Sequence, residues 1–494
     1  MKLTRFIIGK ILSVILAVGI VLFLTNLAQL KLVPQNLFVA VAALLGLLLV
    51  LVLALTWSGK GVIRMTIGVV LAITMSVGLF VGTPYIHKAL RVISSITDVQ
   101  TEIVHMGVYI SSDNAEYKDA DAPTYQYGIL QKLDRENTDT VIQQMNETLE
   151  TKISCKEYAS ITALVDALLN DEVDAIILNQ VFLDLVEDIE EYENIKEKIR
   201  EVEIKKVEVP IVKPTLPPPT TEATDPTQQT EPAKPKSKAF CVYMSGIDAW
   251  GSVNVRSRSD VNIVAVINPD TRHVLLISTP RDYFVPLSIS DGARDKLTHA
   301  GLYGVNVSKD TLGMLYGIDI EYYFRVNFSG FEQIVDALGG VYVYSEYNFS
   351  SGGYNFYEGS NYVGGKEALA FCRNRYSFAI GDRQRGKNQM ALIKGVIQRM
   401  MSPALLKNYS SILSSIEGCF TTSMPMEKIG ELVAKQLQSG GEWNVVSYSV
   451  NGYDDYDIPY SQGQYAYVMP PDYETVDYAK KLIQDVINGK IVDP

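Results

Sequence analysis

Residues 239–282 read AFCVYMSGIDAWGSVNVRSRSDVNIVAVINPDTRHVLLISTPRD, and this stretch decides the fold. It contains three apolar runs, at 239–248, 261–267 and 273–278, whose length and composition are typical of buried β-strands. The segment 268–271 has proline in its second position, which a tight turn favours. The second and third runs are therefore predicted to form a hairpin in a C-terminal α/β domain.

Three polar residues mark the ends of these runs. Asp248 closes the first run, Asp260 precedes the second and Arg281 follows the third. In a hairpin the start of one strand and the end of the next share a sheet edge, so these side chains can converge. Two carboxylates suit a hard divalent cation, and a guanidinium group binds phosphate oxygens in a fork. The alternative is that Asp248 is only a turn residue, Asp260 caps a strand and Arg281 forms a surface ion pair.

A second cluster of basic residues follows a predicted helix start at 365–370. It contains Arg373, Arg375 and Arg385, with Asp382 and Gln389 nearby in the sequence. If the chain is extended here, Arg373 and Arg375 point to the same face and bracket one phosphate. Arginines alone are more often surface ion pairs. Combined with the paired carboxylates, they predict a site for a metal-bound pyrophosphate.

The C-terminal half of the chain resembles the LytR-CpsA-Psr family over about residues 240–489. The motifs that carry the resemblance are, in order, SGID (245–248), RSD (258–260), NPDT (268–271), STPRD (278–282), VNFSGF (326–331), VDALGGV (335–341), RNR (373–375), GD (381–382) and Gln389. These pieces are specific in combination, because their order and their places beside predicted strands all agree.

The resemblance implies an α/β/α domain with a central mixed sheet, which holds a polyprenyl chain in an apolar tunnel with its pyrophosphate at the mouth. It implies transfer of a glycopolymer, capsular or teichoic-acid-like, from polyprenyl pyrophosphate to peptidoglycan. Asp248 and Asp260 would hold Mg²⁺ or Mn²⁺. The pyrophosphate would be bound, and its developing charge stabilised, by Arg281, Arg373, Arg375, Arg385 and Gln389. Asp382 would orient an arginine or act as the base.

The chain departs from the family pattern at two places. Residues 296–301 read KLTHAG where the family often has Lys-Ile-Asn-x-Ala-Tyr, and Trp250 replaces a basic residue. Both departures concern the acceptor side of the cleft more than the phosphate side. His299, within the first of them, is predicted to be structural rather than catalytic.

The first 91 residues are predicted to be a three-span membrane anchor. Apolar runs at 11–30, 34–57 and 62–86 are each long enough to cross a hydrocarbon core of about 30 Å. Lys2, Arg5 and Lys10 precede the first run, and Lys60 and Arg64 lie at the junction of the second and third, whereas only Lys31 lies between the first and second. This asymmetry predicts a multi-pass protein of the cell membrane with a cytoplasmic N-terminus and extracellular C-terminal domains. Such an arrangement is most similar to capsule-associated members of the family.

Two segments separate the anchor from the C-terminal domain, which is predicted to span 239–494. Residues 98–209 alternate apolar strands with amphipathic helices and predict a small α/β accessory domain. Residues 210–238 are rich in proline, threonine and charge, so they predict an extended linker.

Charge and cysteine content argue against a nucleic-acid-binding protein and against a disulfide-rich one. The formal net charge is −12 and the exterior part has no dense basic stripe, which argues against nucleic-acid binding. Four cysteines without CxxC spacing predict buried free thiols, with a single disulfide as the lesser alternative. The rival functions are a transcriptional attenuator, a sensor that binds polyprenyl pyrophosphate without transferring it, and a hydrolase of the carrier.

Overall fold

The computed structural model describes residues 2–29, 35–57, 61–97, 101–113, 122–211, 238–247, 249, 252–374, 377–378, 381–401 and 418–494. These residues fall into two compact units. The first unit comprises Met1–Asp98, Met400–Glu417 and Ser423–Glu442, and the second comprises Val99–Arg399, Gly418–Thr422 and Trp443–Pro494. The predicted accessory and C-terminal domains thus share one unit, and most of the predicted linker lies outside the described residues.

The first unit contains the long apolar helices α1 (Lys2–Gln29), α2 (Gln35–Trp57) and α3 (Val62–Thr97). Within the described residues, the stretches long and apolar enough to span a bilayer are Gly9–Gln29, Phe38–Trp57 and Val62–Pro84, close to the predicted spans. Their outer faces expose large apolar side chains, as lipid contact requires. The shorter helix α12 (Met426–Ser439) belongs to the same unit.

The accessory lobe, residues 101–211, is a five-stranded sheet with helices, as predicted. Its strands, in the order β3-β2-β4-β1-β5, are β3 (Ser154–Tyr158), β2 (Gln126–Leu130), β4 (Ala175–Asn179), β1 (Thr101–Ser111) and β5 (Ile199–Pro210). Its helices are α4 (Arg135–Thr148), α5 (Ile161–Leu169), α6 (Gln180–Glu187) and α7 (Ile195–Lys198). Ser160 begins α5 by accepting a hydrogen bond from the Ala163 amide.

The C-terminal lobe, which is the part of the second unit after residue 237, is built on a mixed six-stranded sheet. Its strands, in the order β16-β11-β6-β7-β8-β17, are β16 (Phe420–Thr422), β11 (Tyr322–Asn327), β6 (Phe240–Ile247), β7 (Ser259–Asn268), β8 (His273–Ser278) and β17 (Asn444–Ser449). Strands β7 and β8 pair antiparallel from Ile263 with Ser278 to Asn268 with His273, which confirms the predicted hairpin.

Both faces of this sheet are covered, as the α/β/α prediction requires. On one face Tyr243, Val264 and Ile277 pack against α8 (Val305–Tyr316) and α13 (Tyr473–Ile487). On the other face Ile263 and Leu276 are also fully buried. The remaining helices are α9 (Phe328–Ala337), α10 (Gly365–Arg373) and α11 (Asp382–Met400).

Short antiparallel strand pairs lie outside the six-stranded sheet of the C-terminal lobe. They are β9 (Phe284–Pro286) with β10 (Arg294–Lys296), β12 (Val341–Ser345) with β15 (Gly359–Val363), β13 (Phe349–Ser351) with β14 (Tyr354–Phe356), and β18 (Asp455–Asp457) with β19 (Ala466–Val468). A 3₁₀ helix, Leu297–Tyr303, directly follows β10. This helix and the β18–β19 pair provide parts of the site described below.

The accessory and C-terminal lobes are joined by buried polar contacts. The Glu102 carboxylate in β1 receives hydrogen bonds from Arg325 in β11 and from Arg256 Nε at 3.1 Å. The Ile103 amide donates to the Asn254 carbonyl at 2.7 Å, and the Arg256 amide donates to the Ile103 carbonyl at 3.0 Å. Because these groups are shared between the lobes, neither lobe is complete without the other.

None of the four cysteines forms a disulfide. Cys241, Cys372 and Cys419 are buried, as predicted, whereas Cys155 is only partly buried. Burial raises the pKa of the Cys241 and Cys372 thiols to about 12, so both remain protonated at neutral pH.

Candidate functional site

Asp260 and Arg281 meet at one edge of the central sheet, as the predicted hairpin requires. Asp260 lies at the start of β7 and Arg281 lies just beyond the end of β8, so the antiparallel pairing brings them together. Arg281 Nη1 donates to Asp260 Oδ1 at 3.1 Å. The Thr298 hydroxyl donates to the same oxygen at 3.2 Å. The convergence of these residues is therefore a consequence of strand register.

The Asp260 carboxyl lies in a strongly basic surrounding. Burial alone would raise its pKa, but the positive charges of Arg281, Arg385 and Arg258, with the hydrogen bond from Arg281, outweigh burial and lower it. Asp260 is therefore ionised at neutral pH. Its second oxygen, Oδ2, accepts no hydrogen bond from any residue that the structure describes, and this leaves an oxygen for a cation.

Helix α11 brings Arg385 to the same edge. A Cβ atom built on the neighbouring Gly386 would lie 3.1 Å from Ser278 Oγ, at the end of β8, so the helix approaches the sheet closely here. Arg385 is buried. Gln389, one turn later, is partly buried on the same helix, and Asp382 is its first residue, with a side chain outside the described part.

The predicted pairing of Arg373 with Arg375 rests on an extended backbone, and that premise is wrong for Arg373. Arg373 is the last residue of helix α10. Its exposed guanidinium lies over the Phe328 ring, 4.2 Å from the ring centroid, which is a cation–π contact. Arg375 and Asp248 lie outside the described residues, so their predicted roles stay predictions.

A cleft of about 730 Å³ opens beside Asp260 and Arg281. Its lining includes Arg258, Arg281 and Lys296. Burial lowers the pKa of Lys296, while the charges of Asp282 and Asp188 act in the opposite direction. Arg258 and Lys296 were not among the predicted site residues, although Arg258 stands two residues before Asp260. The lining therefore includes two cationic groups that were not predicted as site residues.

The accessory lobe supplies one wall of this cleft. Residues 188–191, between α6 and α7, contribute Asp188, Glu190 and Glu191 to the lining. Asp188 Oδ2 lies 2.6 Å from Arg258 Nη1 in an ion pair between the lobes. The sequence did not predict this wall, because nothing local indicates where the accessory lobe packs.

Tyrosines of the C-terminal lobe form another part of the lining. Tyr456 in β18 and Tyr467 in β19 are paired across the two strands, with ring centroids 6.0 Å apart at an interplanar angle of 80°. Tyr465, just before β19, lines the same cleft and exposes 71% of its surface. Exposed tyrosines offer an apolar face together with a polar hydroxyl, a combination suited to contact with sugars.

Beside the cationic groups lies a buried histidine–aspartate pair. His299 Nδ1 is 2.6 Å from Asp295 Oδ1, and both side chains are almost fully inaccessible, at 1% and 0% exposure. His299 is also among the residues that line the cleft. The Asp295 carboxylate further accepts hydrogen bonds from the Ser461 amide at 2.9 Å and from the Ser461 hydroxyl.

The side chains near Asp260 determine whether a divalent cation could bind at this edge. Among the described residues, no group of three or more histidine, cysteine, aspartate or glutamate side chains converges. Mg²⁺ commonly uses one or two carboxylates and completes its shell with water and substrate phosphate. Asp260, with Oδ2 left without a hydrogen bond from the described residues, fits this limited role.

Comparison with known proteins identifies the family that this chain resembles. The model of the LytR_cpsA_psr family matches residues 218–481. The chain is similar to the polyisoprenyl-teichoic acid–peptidoglycan teichoic acid transferase TagU of Enterococcus faecalis, with 33% identity over 41% of this chain and 71% of that protein. It is similar to TagU of Bacillus cereus, with 32% identity over 40% of this chain and 64% of that protein. A crystal structure of B. subtilis TagV aligns with a TM-score of 0.43 and 24% identity, and the match covers 51% of this chain and 98% of TagV.

Proposed function

Because the chain belongs to the LytR_cpsA_psr family, we propose that it transfers a glycopolymer from a polyprenyl-pyrophosphate carrier to peptidoglycan. The curated relatives are named as transferases that act on polyisoprenyl-linked teichoic acid and peptidoglycan. The polymer is a teichoic acid or a capsular polysaccharide. The observation that carries the proposal is the cationic edge of the cleft, where Arg281, Arg385 and Arg258 surround the ionised Asp260.

The chemistry of this edge fits phosphoryl transfer. In the proposed step, an acceptor hydroxyl attacks the phosphorus attached to the glycan, and polyprenyl phosphate leaves with the electron pair of the broken P–O bond. Arg281 and Arg385 stabilise the charge that develops on the phosphate oxygens. Arg373, Arg375 and Gln389 would bind the second phosphate.

A divalent cation is part of the proposal. Asp248 and Asp260 would hold Mg²⁺ or Mn²⁺, which would supply positive charge between the carboxylates and the pyrophosphate. The supporting observation is that Asp260, whose pKa the neighbouring arginines lower, keeps one oxygen without a hydrogen bond from the described residues. If a cation is needed, chelation should stop transfer, and added Mg²⁺ or Mn²⁺ should restore it.

The proposed location follows from the three apolar helices. We infer a multi-pass protein of the cell membrane, with its N-terminus in the cytoplasm and both later domains outside the cell, where peptidoglycan lies. The asymmetry of basic residues around the helices supports this orientation. The net charge of −12 gives no support to the attenuator alternative.

The test is transfer by the purified full-length chain in detergent. The donor is a polyprenyl-pyrophosphate-linked teichoic acid precursor, the acceptor is a soluble peptidoglycan oligomer, and the ligated product is measured. Substituting Arg281→Ala should lower the rate by about 10²-fold or more, as loss of a transition-state charge partner does. Arg200→Ala, which removes an exposed arginine of the accessory lobe, should leave the rate unchanged. Release of free glycan phosphate without ligation would indicate a hydrolase, and donor binding without turnover would indicate a sensor.

A further inference from the structure

We propose that His299, oriented by Asp295, is the general base that accepts the proton of the attacking acceptor hydroxyl. This inference rests on the proposed transfer function and deepens it, because an attacking hydroxyl must lose a proton. It also differs from the sequence-based prediction, which gave His299 a structural role.

The first observation is the tautomer that Asp295 imposes. The carboxylate accepts hydrogen bonds from the Lys296 amide at 2.8 Å, the Ser461 amide at 2.9 Å and the Ser461 hydroxyl. With these donors directed at it, the carboxylate is placed as the acceptor toward His299. Nδ1 of His299, 2.6 Å from Asp295 Oδ1, therefore carries the ring proton. Its partner nitrogen, Nε2, is left with a lone pair.

The second observation is where that lone pair lies. No hydrogen bond to His299 Nε2 is found among the described residues, and the residue is among those that line the cleft. Nδ1 is turned toward Asp295, so Nε2, on the other side of the ring, is the nitrogen left to accept a proton.

The third observation is the short distance along the chain between this ring and the phosphate-binding edge. Thr298, the preceding residue, donates its amide to the Arg281 carbonyl at 2.8 Å and its hydroxyl to Asp260 at 3.2 Å. The 3₁₀ helix is therefore fixed to the groups proposed to hold the phosphate. A hydroxyl that approaches the phosphorus from the cleft would pass beside His299.

Three other groups that line the cleft are less suited to accept the proton. Asp188 is paired with Arg258, and Arg281 is a permanent cation. Tyr467 donates its hydroxyl to Asp454, and burial with this bond raises its pKa well above the ordinary range, so it stays protonated. Histidine is the side chain whose ordinary basicity suits proton transfer near neutral pH.

The proposed step balances. The acceptor oxygen forms a bond to phosphorus as its proton moves to Nε2, and the bond from phosphorus to the bridging oxygen of the carrier breaks. Polyprenyl phosphate leaves with that electron pair. Asp295 stabilises the imidazolium that forms, and the proton then passes to water or to the departing phosphate. Asp295 is thus a positioning residue, and Ser461 supports it.

The decisive experiment compares His299→Gln with His273→Gln in the full-length chain. His273 is also a buried histidine, but its Nε2 accepts a hydrogen bond from the Val492 amide at 3.3 Å, so it controls for loss of a buried imidazole. His299→Gln should lower kcat for transfer by about 10²- to 10⁴-fold while the donor KM changes by less than about 3-fold. His273→Gln should keep kcat per folded molecule, with folding measured by thermal unfolding.

Other outcomes are equally informative. Retention of kcat per folded molecule in His299→Gln would overturn the proposal, and loss of kcat in Asp382→Asn alone would assign the base to Asp382 instead. If His299→Gln does not fold, Ser461→Ala decides: a drop in kcat of several-fold at unchanged donor KM supports the proposal, and an unchanged kcat refutes it. If the wild-type chain does not ligate at all, the proposed function fails before the base assignment is in question.

Discussion

Replacing Glu102 with alanine should destabilise the second unit strongly. The Glu102 and Arg325 side chains are each only 3% exposed, and Arg256 adds a second contact to the same carboxylate. The change removes the carboxylate and leaves Arg325 as a buried charge without its partner. Breaking a buried ion pair in this way costs about 3–5 kcal/mol. Thermal unfolding of the full-length chain should therefore occur at least about 6 °C lower, at roughly 2 °C per kcal/mol for a large domain.

The matched control is Asp477→Ala, which breaks the exposed pair between Asp477 and Lys480 on α13. Exposed pairs contribute about 0–1 kcal/mol, so its unfolding temperature should barely change. A double variant, Glu102→Leu with Arg325→Met, should recover part of the loss, because apolar side chains replace both buried charges. Equal unfolding temperatures for Glu102→Ala and Asp477→Ala would refute the reasoning.

Three further predictions concern the site and the membrane orientation. Arg373→Ala should lower transfer strongly in the activity assay, while thermal unfolding moves little, because this arginine is exposed; a large loss of stability with activity retained would favour a structural role. Asp188→Asn should release Arg258 for the donor phosphate and lower the donor KM by up to about 5-fold, the equivalent of one exposed ion pair, and a raised KM would contradict this competition. A reporter fused after Pro494 should be detected outside the cell and one inserted near Lys60 inside it, and a cytoplasmic signal from the C-terminal fusion would contradict the proposed function.

Features that depend on nearby residues were predictable from the sequence. The apolar runs at 261–267 and 273–278, with Pro269 between them, indicate a hairpin because strand length and turn chemistry are local properties. The hairpin in turn predicts that Asp260 and Arg281 share an edge, and the two residues are hydrogen-bonded there. The three membrane helices were predictable for the same reason, because hydropathy is summed along the chain.

Features that depend on packing were not predictable in this way. Arg373 and Arg375 share a face only if the backbone is extended, but α10 continues through Arg373, so alternation along the chain does not apply there. The ion pair between Asp188 and Arg258 joins residues 70 positions apart in different lobes. The role proposed for His299 depends on Ser461, whose position beside Asp295 is set by tertiary structure.

The contacts of Glu102 also determine when the accessory lobe can complete its folding during synthesis. Arg325 follows its carboxylate partner by 223 residues. At about 5–20 residues per second, this separation corresponds to roughly 10 to 45 s of translation. During that time Glu102 in β1 cannot pair with Arg325. The Ile103 backbone likewise lacks its hydrogen-bond partners on either side of Val255 until that segment has been synthesised. A nascent accessory lobe is therefore an incomplete folding intermediate, and a chain truncated before residue 325 should be a substrate for proteolysis rather than a stable small domain.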